Sequence, residues 1–146
     1  MDTIALASDH AGFALKSEIA AELSRLGYAV LDLGTDSDQS VDYPDFGAAL
    51  AEAIGRGEVA SGVLICGTGL GISIAANRYP KVRAVPCTNV TMARLARQHN
   101  DANVLALGQR LISIEVAFEC LRVFLDTPFE GGRHQRRVDK LSTAGT

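Results

Sequence analysis

No stretch of this 146-residue sequence approaches the ~20 consecutive apolar residues that span a bilayer. Met1-Asp2-Thr3 opens without the basic segment and apolar stretch of a secretory leader. A cytoplasmic location with no membrane partner is expected. Positive charge is also scarce: 14 Lys and Arg stand against 17 Asp and Glu, for a net charge of −3. That balance argues against a nucleic-acid partner, which is met by a basic surface, so any anion must be held by a local cluster. The three cysteines, Cys66, Cys87 and Cys120, are far apart and show none of the paired spacings of zinc sites or disulfide frameworks. Each is expected as a free thiol. Aromatics make up only 5% of the chain, nothing repeats at a fixed period, and no Pro/Gly/Ser-rich linker divides it.

What is present is an ordinary globular composition, 47% apolar and 21% charged. A chain of this length fits one domain, residues 1–146, and buries roughly 68–70% of its unfolded surface. Ile4 to Ala7 is a short apolar run followed by Ser8-Asp9-His10-Ala11-Gly12, after which Leu15, Ile19, Leu23 and Leu26 recur at helical spacing up to Gly27. Ala29-Val30-Leu31 is a second strand. Pro44 sits where a first helical residue belongs, ahead of the stripe Phe46, Ala49, Leu50, Ala53 and Ile54. Val63 to Cys66 reads as a strand buried on both faces and runs into Gly67-Thr68-Gly69-Leu70-Gly71, then a short helix from Ile72 to Asn77. Val82 to Val85 is a fourth strand. Met92, Leu95, Ala96 and His99 mark a helix that Thr88 caps; Val104 to Leu107 is a fifth strand and Ile112 to Leu125 a further helix. Five strands alternating with helices specify an α/β fold, a parallel sheet covered on both faces. Ligands of such sheets bind beyond the carboxyl ends of the strands, near the point where strand order reverses. Asp9-His10, Gly67 to Gly71, Cys87-Thr88 and Gly108-Gln109-Arg110 should share that edge.

Three glycines at alternate positions let backbone N–H groups converge on one anionic or carbonyl oxygen. The third glycine comes too early for a dinucleotide fingerprint, and no Lys-Ser/Thr follows as a P-loop requires. A tight structural turn is the plainer reading, and a nucleotide-dependent oxidoreductase the competing function. Cys66, at the lip of the loop, is either an inert small hydrophobe or a thiol whose anion is favoured by oriented N–H groups and a helix N-terminus, and so a base or nucleophile. Cys87 and Cys120 lack such a loop and read as structural. Asp9 and His10 either cap a helix and face solvent or point into the crevice. His99 closes an apolar stripe and is open to reading as a core histidine. Arg133 and Arg137, four apart, either lie on a solvated helix face or grip a phosphate from one side.

Taken together, Ser8-Asp9-His10-Ala11-Gly12, Asp42-Tyr43-Pro44, Cys66 to Ser73, Arg97 to Val104 and Glu130-Gly131-Gly132-Arg133-His134-Gln135 resemble the type B ribose-5-phosphate isomerase family, from the first strand to about Val138. That family includes galactose-6-phosphate and allose-6-phosphate isomerases. The resemblance implies a Rossmann-like three-layer α/β/α sandwich with five parallel strands ordered 2-1-3-5-4. It also implies a homodimer or dimer of dimers with shared active sites, the tail from about residue 127 to 146 reaching the partner. Asp9, His10, Tyr43 and the Cys66 loop would come from one chain, and His99, Asn100, Arg110, Arg133 and Arg137 from the other.

The implied activity is isomerisation of a phosphorylated aldose to its ketose, ribose 5-phosphate to ribulose 5-phosphate, with no metal and no organic cofactor. Cys66 would be the base and Gly67, Gly69, Leu70 and Gly71 would hold the enediolate oxygen. Thr68 would handle the hydroxyl proton, His99 open the sugar ring, Asp9 bind hydroxyls, and His10, Arg133 and Arg137 hold the phosphate. The cysteine places the chain apart from members with a glutamate base, and the intact loop apart from the loop-less galactose-6-phosphate subunit. Thr88-Asn89-Val90-Thr91 departs from the family's acidic and aromatic residues, which leaves another four- to six-carbon aldose phosphate open as substrate. A non-catalytic sugar-phosphate-binding protein is the remaining alternative.

Overall fold

The computed structural model describes residues 2–144, so Met1 and the last two positions of the tail lie outside the described residues. In chain order the elements are β1 (Thr3–Ser8), a 3-10 turn (His10–Gly12), α1 (Phe13–Arg25), β2 (Ala29–Asp32), α2 (Tyr43–Gly55), β3 (Ser61–Cys66), α3 (Leu70–Ala76), β4 (Ala84–Pro86), α4 (Val90–Asn100), β5 (Val104–Gly108), α5 (Ile114–Asp126) and α6 (Arg133–Thr143). The strands form one parallel sheet in the order β2-β1-β3-β5-β4. The expected α/β sandwich and its strand order are both present. No helix among the described residues is long and apolar enough to cross a membrane.

Strand side chains alternate between two cores, as a two-residue period demands. Ile4, Leu6, Val63, Ile65, Leu105 and Leu107 join Ile19 and Leu23 of α1, Ala93 and Ala96 of α4 and Leu121 of α5. Ala5, Ala7, Leu64, Cys66, Val104 and Ala106 face Leu50 of α2 and Ile72 of α3. Order reverses between β1 and β3, whose carboxyl ends are Ser8 and Cys66.

Four boundaries differ from the sequence reading, each for a local reason. β4 starts at Ala84 rather than Val82, because Val82 N–H turns back to Tyr79 O (3.1 Å) and Arg83 N–H donates to Asn103 Oδ1 (2.8 Å); at the strand's first residue, Ala84 N–H donates to Asn77 Oδ1 (2.7 Å). Asn89, not Thr88, caps α4, its side chain accepting from Met92 N–H at 2.9 Å. α5 begins two residues late because Ser113 caps it through Val116 N–H. α3 begins at Leu70, directly after Gly69 in the left-handed region (φ 78°). The stripe expected to bury α4 is also shifted: Ala93 and Ala96 are buried while Met92 and Leu95 are 39% and 41% exposed.

An ion-pair cluster also ties α1 to α5 beside their shared apolar core. The buried Glu22 carboxylate accepts from Arg25 (2.6 and 2.9 Å) and from Arg122 (3.0 and 2.6 Å). Hydrogen bonds from these two guanidiniums, Arg25 first, lower its pKa from 4.5 to about 2. A carboxyl whose folded pKa is depressed stabilises the fold above its unfolded pKa and loses that contribution as pH falls through the folded value. Glu22→Gln is therefore expected to lower the thermal midpoint at neutral pH, with the gap from wild type closing between about pH 4.5 and 2, as measured by unfolding scans across pH.

Candidate active site

The carboxyl edge of the sheet gathers the residues that the strand order predicts. Cys66 ends β3 with only 4% of its surface exposed, and Gly69 N–H donates to its Sγ at 3.1 Å. Gly69 accepts the left-handed φ that aims this N–H back at the sulfur. Leu70 N–H donates to Thr68 Oγ1 at 3.2 Å. Two loop donors are thus held by a sulfur and a neighbouring hydroxyl, both weaker acceptors than an anionic oxygen, which could displace them.

Close packing fixes the loop's path. A Cβ on Gly108, at the end of β5, would lie 2.5 Å from the Thr68 carbonyl, and one on Gly71 would lie 2.7 Å from the ring of Tyr43, the first residue of α2. A Cβ on Gly67 would lie 2.9 Å from a terminal nitrogen of Arg110, whose own N–H donates to Gly67 O at 2.9 Å. Within one chain, then, Arg110 accompanies the thiol loop, whereas the resemblance grouped it with His99.

Asp9 is buried and caps the 3-10 turn, Oδ1 accepting from Gly12 N–H at 3.1 Å, which leaves Oδ2 for a ligand. The capping and site readings of Asp9 are compatible. His10 is no free surface histidine: its Nδ1 accepts from Val41 N–H at 3.1 Å, which places the neutral ring's proton on Nε2. The other two thiols behave as expected. Burial pushes Cys87 up to about 12 and also raises Cys120, so both are held as neutral thiols.

His99, Asn100, Arg133 and Arg137 form a second group at the opposite edge. α4 runs against the strands, and its end is tied to the sheet's amino edge: Ala102 N–H donates to Ala96 O, Asn103 N–H to Arg83 O and Gly62 N–H to Asn103 O. Gly62 pairs with Val104 and Cys66 with Gly108, so four residue steps of about 3.3 Å put roughly 13 Å of sheet between the two groups. Asn100 borders a groove of about 610 Å3 with Arg78, Arg83 and Leu141.

His99 is 41% exposed, not a core histidine, and its ring stacks on His134 with centroids 4.4 Å apart and planes 13° off parallel. Glu130 Oε1 lies 3.9 Å from His99 Nε2 and 3.7 Å from His134 Nε2. Burial lowers the His134 pKa, and the charges of His99, Arg133 and Arg137 push the same way against Glu130. Sequence reasoning quoted Glu130 and His134 only as parts of a motif and gave them no role. It also passed over the side chain of Gln109, which fixes α1 to the end of β5 by accepting from Leu15 N–H at 2.9 Å.

Fold and site together define a class, a doubly wound α/β domain carrying a thiol and a glycine loop at its topological switch point. The chain belongs to the Ribose/Galactose Isomerase family, whose model matches residues 4–141. It is 49% identical over 142 residues to the ribose-5-phosphate isomerase B of Escherichia coli K12, covering 97% of this chain and 95% of that one. Among solved structures it is similar to the ribose-5-phosphate isomerase B of Clostridium thermocellum, with a TM-score of 0.95, 53% identity and coverage of 96% and 95% of the two chains. The Mycoplasma genitalium ribose-5-phosphate isomerase B, solved with bound ribulose 5-phosphate, superposes with a TM-score of 0.91 at 41% identity over 96% of this chain and 93% of that one.

The packing around the loop predicts unequal tolerance of side chains. Gly108→Ala drives a methyl into backbone and is expected to cost about 1–3 kcal/mol in denaturant unfolding. Gly71→Ala meets the ring of Tyr43, itself 42% exposed and free to swing, and should cost less, with the deficit relieved in the Tyr43→Ala background.

Proposed function

We propose that this chain isomerises a phosphorylated aldose to the ketose, ribose 5-phosphate to ribulose 5-phosphate, with Cys66 as the base. The observation that carries the reading is the Gly69 N–H aimed at the Cys66 sulfur, inside a glycine loop at the carboxyl edge of the sheet. Aldose–ketose conversion removes a weakly acidic C–H proton beside a carbonyl, so the site must supply a positioned base and hold the enediolate oxygen. Cys66 takes the proton from the second carbon and returns it to the first. Backbone N–H groups from Gly67 to Gly71 stabilise the oxyanion, and one such donor is typically worth about 2.7–4 kcal/mol of barrier. Thr68 transfers the hydroxyl proton, Asp9 Oδ2 binds sugar hydroxyls, and His10 presents Nε2–H to the phosphate. Tyr43, seated on Gly71, walls the crevice, and Arg110 brings a positive charge over Gly67.

The ring-opening imidazole and the remaining phosphate ligands come from a second copy. His99, Asn100, Arg133 and Arg137 are separated from their own chain's thiol by the length of the sheet, which supports a homodimer, alone or paired into a dimer of dimers, with sites shared through the tail. Leu70 and Ile74, four apart on α3 beside the glycine loop, are 53% and 63% exposed, an apolar face suited to that contact. Ribose 5-phosphate is the substrate named for the relatives above. The Thr88-Asn89-Val90-Thr91 departure does not weigh against it, since that segment leaves the edge strand β4 and is spent on starting α4. Three unpaired thiols fit a reducing cytoplasm.

Cys66→Ala is expected to lower kcat by about 10²–10⁴-fold with unfolding and phosphate binding unchanged, and to abolish deuterium uptake from solvent at the second carbon. Retained exchange removes Cys66 from its role. Sharing is tested by mixing: Cys66→Ala and His99→Ala, each inactive alone, should recover about one quarter of wild-type activity after subunit exchange, because half the dimers are mixed and each rebuilds one site. No recovery on complete exchange contradicts the shared arrangement.

A further inference from the structure

The second group holds a feature that isomerisation does not require. Glu130 N–H donates to Gln98 O at 3.1 Å, tying the tail to the last turn of α4. Gly131 and Gly132, with φ of 67° and 57°, then reverse the chain into α6 and bring His134 back over His99. One ligand atom from each of His99, Glu130 and His134 lies within 4.8 Å of the other two. At 3.7 and 3.9 Å the carboxylate is too far to hydrogen-bond either imidazole. The three side chains therefore converge with the imidazoles stacked and no hydrogen bond from either to the carboxylate.

Two imidazoles and a carboxylate are a donor set that zinc takes in three-ligand sites, leaving a fourth position open. In tetrahedral zinc, bonds of 2.0–2.1 Å place ligand atoms about 3.3 Å apart, so the ligand atoms need to close by roughly 1.5 Å at most. The His99 ring must also turn out of its stack on His134, because an ion lies in the plane of each imidazole that binds it. Its members can move unequally. Glu130 and His99 are 52% and 41% exposed at their side chains, while His134 at 11% is seated in the protein and serves as the fixed ligand. Arg133 and Arg137 on the same helix oppose a cation there, so affinity must come from nitrogen coordination, which selects zinc, nickel or copper over magnesium and calcium.

We propose that His99, Glu130 and His134 form a site for a borderline transition-metal ion, zinc being the test case, and that metal bound there inhibits by occupying His99. The site stands on the geometry; the inhibition rests on the ring-opening role given to His99.

The test uses full-length protein cleared of metal by chelator. Titration with Co2+, displaced afterwards by Zn2+, is expected to give one saturable site per chain with visible d–d bands and no thiolate-to-cobalt charge transfer. Cys66→Ser should leave the signal unchanged, while Glu130→Gln and His134→Ala, checked for folding by circular dichroism, should weaken binding by about tenfold or more. One equivalent of Zn2+ should suppress turnover, chelator should restore it, and His134→Ala should resist zinc relative to its own metal-free rate. Absence of a saturable site, a thiolate band lost in Cys66→Ser, or binding indifferent to Glu130 and His134 overturns the site. Binding that follows Glu130 and His134 while turnover stays undiminished overturns the inhibition and tells against the role of His99, leaving the site itself supported.

Discussion

The parallel ladder is the constraint from which the rest follows. In a sheet whose strands all run one way, crossover helices run back against them, so strand ends collect at one edge and helix ends at the other. Cys66 ends a strand and Asp9 and Arg110 follow strands; His99 and Asn100 end a helix. With Cys66 registered to Gly108 and Gly62 to Val104, no local adjustment brings the imidazole to its own thiol. A single chain therefore holds its two groups of candidate side chains at opposite edges of the sheet, the separation on which the proposed sharing between two copies rests.

Within the thiol half, small residues permit the close packing and backbone bonds complete it, Gln109 N–H donating to Cys66 O and Arg110 N–H to Gly67 O. Gly108 lets the Thr68 carbonyl lie against β5, and Gly71 lets Tyr43 lie against α3. The contact at Gly108 pins the loop against β5 while the exposed Tyr43 ring flanks its other side, and the left-handed Gly69 between them turns its N–H onto sulfur. A cradle built this way is already oriented before a charge develops in it, which is the condition under which backbone dipoles lower a barrier. The low exposure of Cys66 belongs to the same design, because a sulfur kept from bulk water interacts more strongly with the donor aimed at it.

Most of the fold was legible because apolar runs on both faces of a parallel sheet leave little choice of strand. The errors fall where side chains replace backbone partners. Asn103 takes the Arg83 donor that would have lengthened β4, and Asn89 and Ser113 set helix starts that apolar periodicity alone cannot locate. The thiol half was readable as well, since the elements that build it are a strand and the loop directly after it. The imidazole half was not. His99 closed what looked like an apolar stripe, yet its neighbours are Glu130 and His134, thirty and more residues on, brought back by a two-glycine turn. A contact made by chain reversal leaves no period in the sequence.

That separation also decides how anything acting on the imidazole half is felt. A ligand on His99, Glu130 and His134 touches no group of its own chain's thiol loop; in a shared arrangement it acts on the thiol of the other copy. The tail that carries Glu130 and His134 also carries Arg133 and Arg137 on the same helix, anchored through buried Val138 and the Glu130 bond to Gln98. The two arginines and the His134 imidazole are thus mechanically one unit. With His134 fixed on that helix, closing three ligands on an ion falls to Glu130 and His99, so the phosphate contacts proposed for Arg133 and Arg137 would stay in place and the effect would fall on the ring-opening role proposed for His99.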